Sequence, residues 1–202
     1  MESKKKSSIF VYTLNNLISM AQYIPFAPNV EVNGQTVLSV VNGVHSLFKP
    51  KMFEILAKYS IVEPHAECWY KQVDWLNSFK EISENIGNNT LFSIGKAIPE
   101  NAEFPPEINC LEKALSSIDF AYHQNHRGGE IGYYRLVVFD SSKKEATMEC
   151  KNPYPCYFDR GIITTMVRKF APADSIETFV ELDPDKSSRL DGNDSSWYNI
   201  KW

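Results

Sequence analysis

Apolar residues at Val73, Leu76, Phe79, Ile82 and Ile86 recur every three or four positions, which predicts an amphipathic helix over residues 73–86, stopped by Gly87-Asn88. A longer stripe follows: Ile108, Leu111, Leu115, Ile118 and Tyr122 predict a second helix that runs to about Arg127, where Gly128-Gly129 cannot sustain it. Between the two, Leu91, Phe92 and Ile94 mark a shorter helical piece running into Pro99, and Phe104-Pro105-Pro106 forms the next loop. The pattern is weaker upstream. Residues 9–22 fit a short helix, and Pro50 opens another through about Tyr59. Over residues 30–37, Asn33-Gly34 sits between alternating β-branched runs. That predicts a hairpin with a two-residue turn, which needs positive φ at both central positions.

Beyond Gly129 the period changes from helical to two. Residues 131–139, rich in Tyr and Val, predict a strand, residues 140–144 a polar turn, and residues 146–151 a returning strand that Pro153 and Pro155 end. Phe158, Ile162, Met166 and Phe170 then share one face of a helix over residues 157–170. Two further strands, 176–182 and 197–202, close the chain, and the polar connection over 183–196 is expected to be mobile. Helices followed by an antiparallel sheet with one inserted helix make the expected fold class α+β. A chain of 202 residues, 43% hydrophobic and without a linker-like tract, is expected to form a single domain over residues 1–202, with a disordered tail over 1–8 and an N-terminal extension over 9–66.

A net charge of -4 speaks against nucleic acid as a partner, since phosphate recognition needs clustered Lys and Arg, and the basic run Lys4-Lys5-Lys6 reads as a solvated end. The apolar stretch after it is interrupted by Asn15-Asn16 and lacks a cleavage site, and no 18-residue apolar run occurs elsewhere, so neither a secretory signal nor a membrane span is expected. Four scattered cysteines do not make a disulfide framework, and the expected location is cytoplasmic.

Candidate chemistry is sparse. On one helix, Asp119, His123 and His126 would fall within roughly 60° of each other, a set that could hold a metal or handle a proton. The same residues also suit an ordinary polar helix end whose histidines meet carbonyls. Cys150 and Cys156 flank a five-residue bend and could share a metal or a disulfide, or simply be small buried side chains. The candidate metal ligands are thus His123, His126, Cys150 and Cys156. No nucleophile elbow, P-loop, dinucleotide fingerprint or HExxH pattern is present, which favours binding over catalysis.

Several local sequences resemble a superfamily that contains the 4-vinyl reductase domains, TRAPP vesicle-tethering subunits and heme-based nitric oxide sensors. They are Leu91-Phe92-Ser93-Ile94-Gly95, the long helix ending at His126-Arg127-Gly128, the hairpin reaching Cys150, Asn152-Pro153-Tyr154-Pro155 leading through Phe158 and Gly161 into a helix, and the closing strand from Ser195 to Ile200. The likeness covers about residues 70–202. It implies a helix-and-sheet fold around an enclosed cavity, a small apolar or aromatic ligand, and a sensory or regulatory role without catalysis. Dimerisation as an interaction or scaffold protein is an alternative use of the same fold, and a metal-dependent enzyme a remoter one. The implied ligand-binding residues are Tyr122, His126, Arg127, Tyr133, Arg135 and Phe158. Zinc and heme are the cofactors the superfamily suggests. Residues 187–196, however, lack the cysteines of the metal-binding members, and the Tyr-x-Ser-x-Arg signature of the heme sensors is missing.

Overall fold

A computed structural model describes residues 22–202; the tail expected over 1–8, and all but the last residue of the helix expected over 9–22, lie outside them. The element order is β1 (Glu31–Asn33), α1 (Gly34–Gly43), α2 (Lys49–Lys58), β2 (Trp69–Lys71), α3 (Gln72–Asn85), α4 (Asn88–Glu100), α5 (Leu111–Gln124), β3 (His126–Arg127), β4 (Tyr133–Asp140), β5 (Glu145–Lys151), α6 (Cys156–Phe170), β6 (Phe179–Leu182) and β7 (Ser196–Lys201). This is the expected α+β arrangement of N-terminal helices and an antiparallel sheet with one inserted helix. The helical stripes are buried as their spacing requires: Trp75, Leu76, Phe79 and Ile82 on α3, and Leu111, Leu115, Ile118 and Tyr122 on α5.

The main sheet is antiparallel with strand order β4-β5-β7-β6. Side chains alternate across it, so Tyr134, Met148, Cys150, Tyr198 and Ile200 are buried on the inner face, and Arg135 pairs across the outer face with Glu149. α5 packs against β4 and α6, and α6 lies along α4. A register shift between Leu136 and Val138 bulges the edge strand β4.

Three expectations give way. The Asn33-Gly34 hairpin is instead a helix start, in which the Asn33 side chain accepts from the Gln35 backbone N–H at 2.6 Å and caps α1. Helical spacing of Val37, Val40 and Val41 decides this, because all three are buried when the segment coils and packs on α4. The helix expected to reach Arg127 stops at Gln124. Residues 126–127 pair with β1, which also pairs with β2 to form a second, three-stranded antiparallel sheet. Through it Val30 and Val32 join the same buried cluster as Leu115 and Phe158. The connection between β6 and β7 is also more than a polar loop. It contains a 3-10 turn, Arg189–Asp191, started by a reciprocal cap between Ser188 and Asp191, and Arg189 is fully buried.

Candidate functional site

The inner surfaces of α5, α6 and the end of α4 do not close completely on one another. They leave a cavity of about 110 Å³ whose floor is formed by Tyr134, Tyr154 and His126. α5 contributes Ile118 and Tyr122 because these are the inward positions of its stripe, and α6 contributes Phe158, Ile162 and Met166 for the same reason. Ala102 and Ala121 are exposed residues on its margin and mark its mouth.

The floor is a chain of buried hydrogen bonds. His126 Nδ1 lies 2.8 Å from the Tyr122 carbonyl, which can only accept, so this nitrogen carries the proton. Nε2 is then the acceptor for the Tyr154 hydroxyl at 2.7 Å. Burial lowers the pKa of His126 to about 4, and the ring is neutral at neutral pH. Tyr122 donates to the Ile131 carbonyl at 2.5 Å, and burial, the main cause, raises its pKa well above the ordinary tyrosine value.

Behind the floor lies an ion pair with no exposed surface. Arg189 meets Asp159 and also donates to the Asn152 backbone and side-chain oxygens and to the Tyr154 carbonyl at 2.6 Å. Asp159 further accepts from the Tyr134 hydroxyl at 2.5 Å and from the Asn152 amide at 3.3 Å. Burial pushes the Asp159 carboxyl up, while Arg189, Tyr134 and Asn152 pull it back down. The network fixes the Asn152-Pro153-Tyr154-Pro155 bend, and with it the place of the Tyr154 ring.

Of the residues expected to bind a ligand, Tyr122, His126 and Phe158 line the cavity and three do not. Tyr133 and Arg135 point to the opposite face of β4 from Tyr134, and Arg135 pairs there with Glu149. Arg127 stacks over Trp69 at 4.2 Å and bonds Glu31 at 2.7 Å on the surface. A one-residue error of parity moves a strand side chain to the wrong face, and composition alone does not decide that parity.

The expected metal ligands are not brought together. His123 stays on the exposed side of α5 with Asp119, 2.9 Å from its carbonyl oxygen, whereas His126 has left the helix and turns inward. Cys150 and Cys156 are free thiols in the core; Cys156 lies 3.1 Å from the Ser196 hydroxyl, and burial holds the Cys150 thiol well above its usual pKa. Among the described residues no group of three or more His, Cys, Asp or Glu could hold a metal ion, and no helix is long and apolar enough to cross a membrane.

Sequence reasoning missed Tyr134, Tyr154, Asp159 and Arg189. Tyr154 stands inside the Asn152-Pro153-Tyr154-Pro155 motif, and the Ser188…Asp191 spacing is a visible cap signature. Nothing in the sequence marks Arg189 as buried.

The neutral buried imidazole gives a pH dependence. The unfolded chain takes up a proton near 6.5 and the folded chain only near 4, so stability is undiminished above 6.5 and falls as the pH drops from 6.5 towards 4. The total loss is roughly 3 kcal/mol. Urea midpoints measured across this window are expected to show the fall in the wild type and a flatter profile in His126→Gln.

Neither a family model nor a curated protein matches the chain by sequence. Its structure is similar to that of H-NOX (heme nitric oxide/oxygen binding) proteins. An Fe(II) H-NOX protein from S. oneidensis has a TM-score of 0.62 at 9% identity, over 84% of this chain and 95% of that chain. The unliganded Fe(II) H-NOX protein from K. algicida has 0.58 at 16%, over 84% and 95%. An oxygen-binding H-NOX domain related to soluble guanylate cyclases has 0.59 at 18%, over 84% and 94%. At such identities the likeness establishes the fold. The expected resemblance to the nitric oxide sensors therefore holds as a resemblance of fold, and it covers a larger share of the chain than residues 70–202 would make up.

Proposed function

We propose that this chain is a small-molecule-binding regulatory module whose ligand is a compact apolar or one-ring aromatic molecule held between α5 and α6. One observation carries the reading: the cavity is lined mainly by aliphatic and aromatic side chains, with Thr36, Ser117, Asn125 and His126 as its polar members. Its volume of about 110 Å³ is well below the ~300–1,000 Å³ of pockets for drug-sized ligands. It is nearer the ~150 Å³ of an apolar cavity that takes up benzene or xenon.

The fold suggests heme, and the cavity does not fit it. Heme iron is held by a proximal His, a Cys thiolate, a Tyr, or a Met paired with His, so the Met166 thioether at the cavity would not serve alone. His126 is the single histidine at the cavity, and both its ring nitrogens are engaged. The Tyr122, Tyr134 and Tyr154 hydroxyls each meet a protein partner, and burial raises the pKa of all three, which disfavours a phenolate. Among the described residues no Lys or Arg lines the cavity to neutralise a carboxylate side chain of a porphyrin.

Benzene at saturating concentration is expected to raise Tm by several degrees. A ligand at 100 times its Kd adds about 2.7 kcal/mol of stability. Ala121→Phe, at the exposed mouth, is expected to abolish the shift without lowering the Tm of the ligand-free protein. Hemin is expected to form no saturating one-to-one complex by absorbance. A stoichiometric heme complex lost in His126→Ala would overturn the heme-free reading, and absence of any benzene shift would overturn the cavity ligand.

A further inference from the structure

Gln72 and Trp75 stand three residues apart on the buried face of α3, and both are 0% exposed. Gln72 opens the helix, and its backbone N–H donates to the Val30 carbonyl at 2.8 Å, which anchors it where β2 turns into α3. One turn on from Trp75, Phe79 sets its ring edge-on to Trp75 at 4.8 Å and to Tyr154 at 5.7 Å, so Tyr154 packs on the same side of the helix. Among the described residues, neither polar atom of the Gln72 amide nor the Trp75 indole nitrogen has a hydrogen-bond partner. Native interiors leave only about a few such atoms unpaired per hundred residues, and here three belong to neighbouring positions of one helix face. Tyr154 belongs to the same cluster. Burial dominates the rise in its pKa, while the Gln72 amide and the Trp75 indole act on it in the opposite sense. Its hydroxyl proton goes to His126 Nε2, which leaves its oxygen free to accept.

We propose that Gln72, Trp75 and Tyr154 form a binding site for one neutral hydroxyl group at the inner side of the cavity floor. The Trp75 indole N–H donates to the hydroxyl oxygen, the Gln72 carbonyl oxygen accepts its proton, and the Gln72 NH₂, which meets no acceptor in the present geometry, turns to the Tyr154 oxygen. A neutral group suits the place, because the nearby Asp159 and Arg189 charges are spent on each other. The hydroxyl belongs either to a buried water or to a ring compound seated in the cavity that Tyr154, Tyr122 and His126 line; Gln72 and Trp75 stand behind that lining, so the ring compound must reach them past Tyr154. The second source rests on the ligand-binding reading above, and the first does not.

The test uses the ¹⁵N-labelled full chain. The Trp75 indole N–H is probed for a cross-peak to a slowly exchanging water, and binding of phenol is compared with binding of benzene in the wild type and in Gln72→Leu. Phenol binding about tenfold tighter than benzene, with the preference lost in Gln72→Leu, establishes the organic hydroxyl. A water cross-peak without phenol preference establishes the site with water. If in that case neither probe binds, the cavity-ligand reading fails and the hydroxyl site stands. Absence of both the cross-peak and the preference overturns the site, even if benzene binds. The urea midpoint of Gln72→Leu then rises, because a near-isosteric apolar side chain replaces an unpaired amide. If the variant does not fold, the wild-type water cross-peak and the wild-type ratio of phenol to benzene binding decide between these outcomes.

Discussion

Replacing Arg189 by Met lowers stability by about 3–5 kcal/mol, the usual cost of removing one partner from a buried ion pair. The loss comes less from the missing attraction than from what remains: Asp159 keeps a carboxylate with no exposed surface and loses its guanidinium. The Asn152 and Tyr154 carbonyls lose their donor in the same step. Asp159 is already pushed up by burial, and without Arg189 it goes higher. A carboxyl whose folded pKa lies above its unfolded value destabilises most where the unfolded chain is ionised and the folded chain must hold the charge or a proton. The deficit of Arg189→Met is therefore largest at neutral pH and shrinks as pH falls through the raised pKa. Arg189→Met combined with Asp159→Asn recovers part of the loss, since no charge is then stranded. Urea unfolding of the wild type and the two variants at two pH values checks this. A loss below about 1 kcal/mol for Arg189→Met, the size typical of an ordinary substitution, would show that the ion pair does not fasten the 183–196 connection to the core.

Gly161→Ala, and independently Gly95→Ala, destabilises the protein by about 2 kcal/mol or more, although alanine in a helix interior normally adds up to about 1 kcal/mol over glycine. The two glycines lie where the backbones of α4 and α6 are in contact. A Cβ on Gly161 would run into the Phe92 carbonyl oxygen, and one on Gly95 into that of Phe158. Both obstacles are backbone, so no side chain can swing aside, and the helices must separate. Separation also moves Phe158, Ile162 and Met166 on α6 away from Ile98 and Pro99 on α4, all of which line the cavity. The same variants are expected to lose the benzene-induced rise in Tm. Retention of wild-type stability and ligand response in either one would mean that the helices tolerate a wider spacing than their present contact.

The elements whose apolar positions repeat are legible in the amino-acid sequence alone. α3, α5, α6 and the strands β4, β5 and β7 lie within a few residues of where the periodicity puts them, because each exposes one face to water and buries the other. Asn33-Gly34 is legible twice over, as a turn and as a cap. Local chemistry permits both, and the burial of Val37, Val40 and Val41 against α4 selects the cap. The site is legible in part. Tyr122 and Phe158 follow from their helical stripes, whereas the sequence points to Tyr133 and Arg135 in place of Tyr134, because alternation along a strand identifies two faces without saying which meets the helices.

By itself, then, the sequence determined the fold class, the inward faces of the helices, the lack of a familiar catalytic motif and the composition from which an apolar cavity is made. Tertiary structure alone decided that His126 leaves α5 to pair with β1 and turns to Tyr154, that His123 stays on the exposed side of α5 while Cys150 and Cys156 are buried, and that Arg189 sinks from a polar stretch into the core. The division has one physical cause. Periodic burial is a property of neighbours along the chain, while the pairing of a buried charge or the engagement of a ring nitrogen depends on groups tens of residues away, such as Asp159 for Arg189 and Tyr154 for His126.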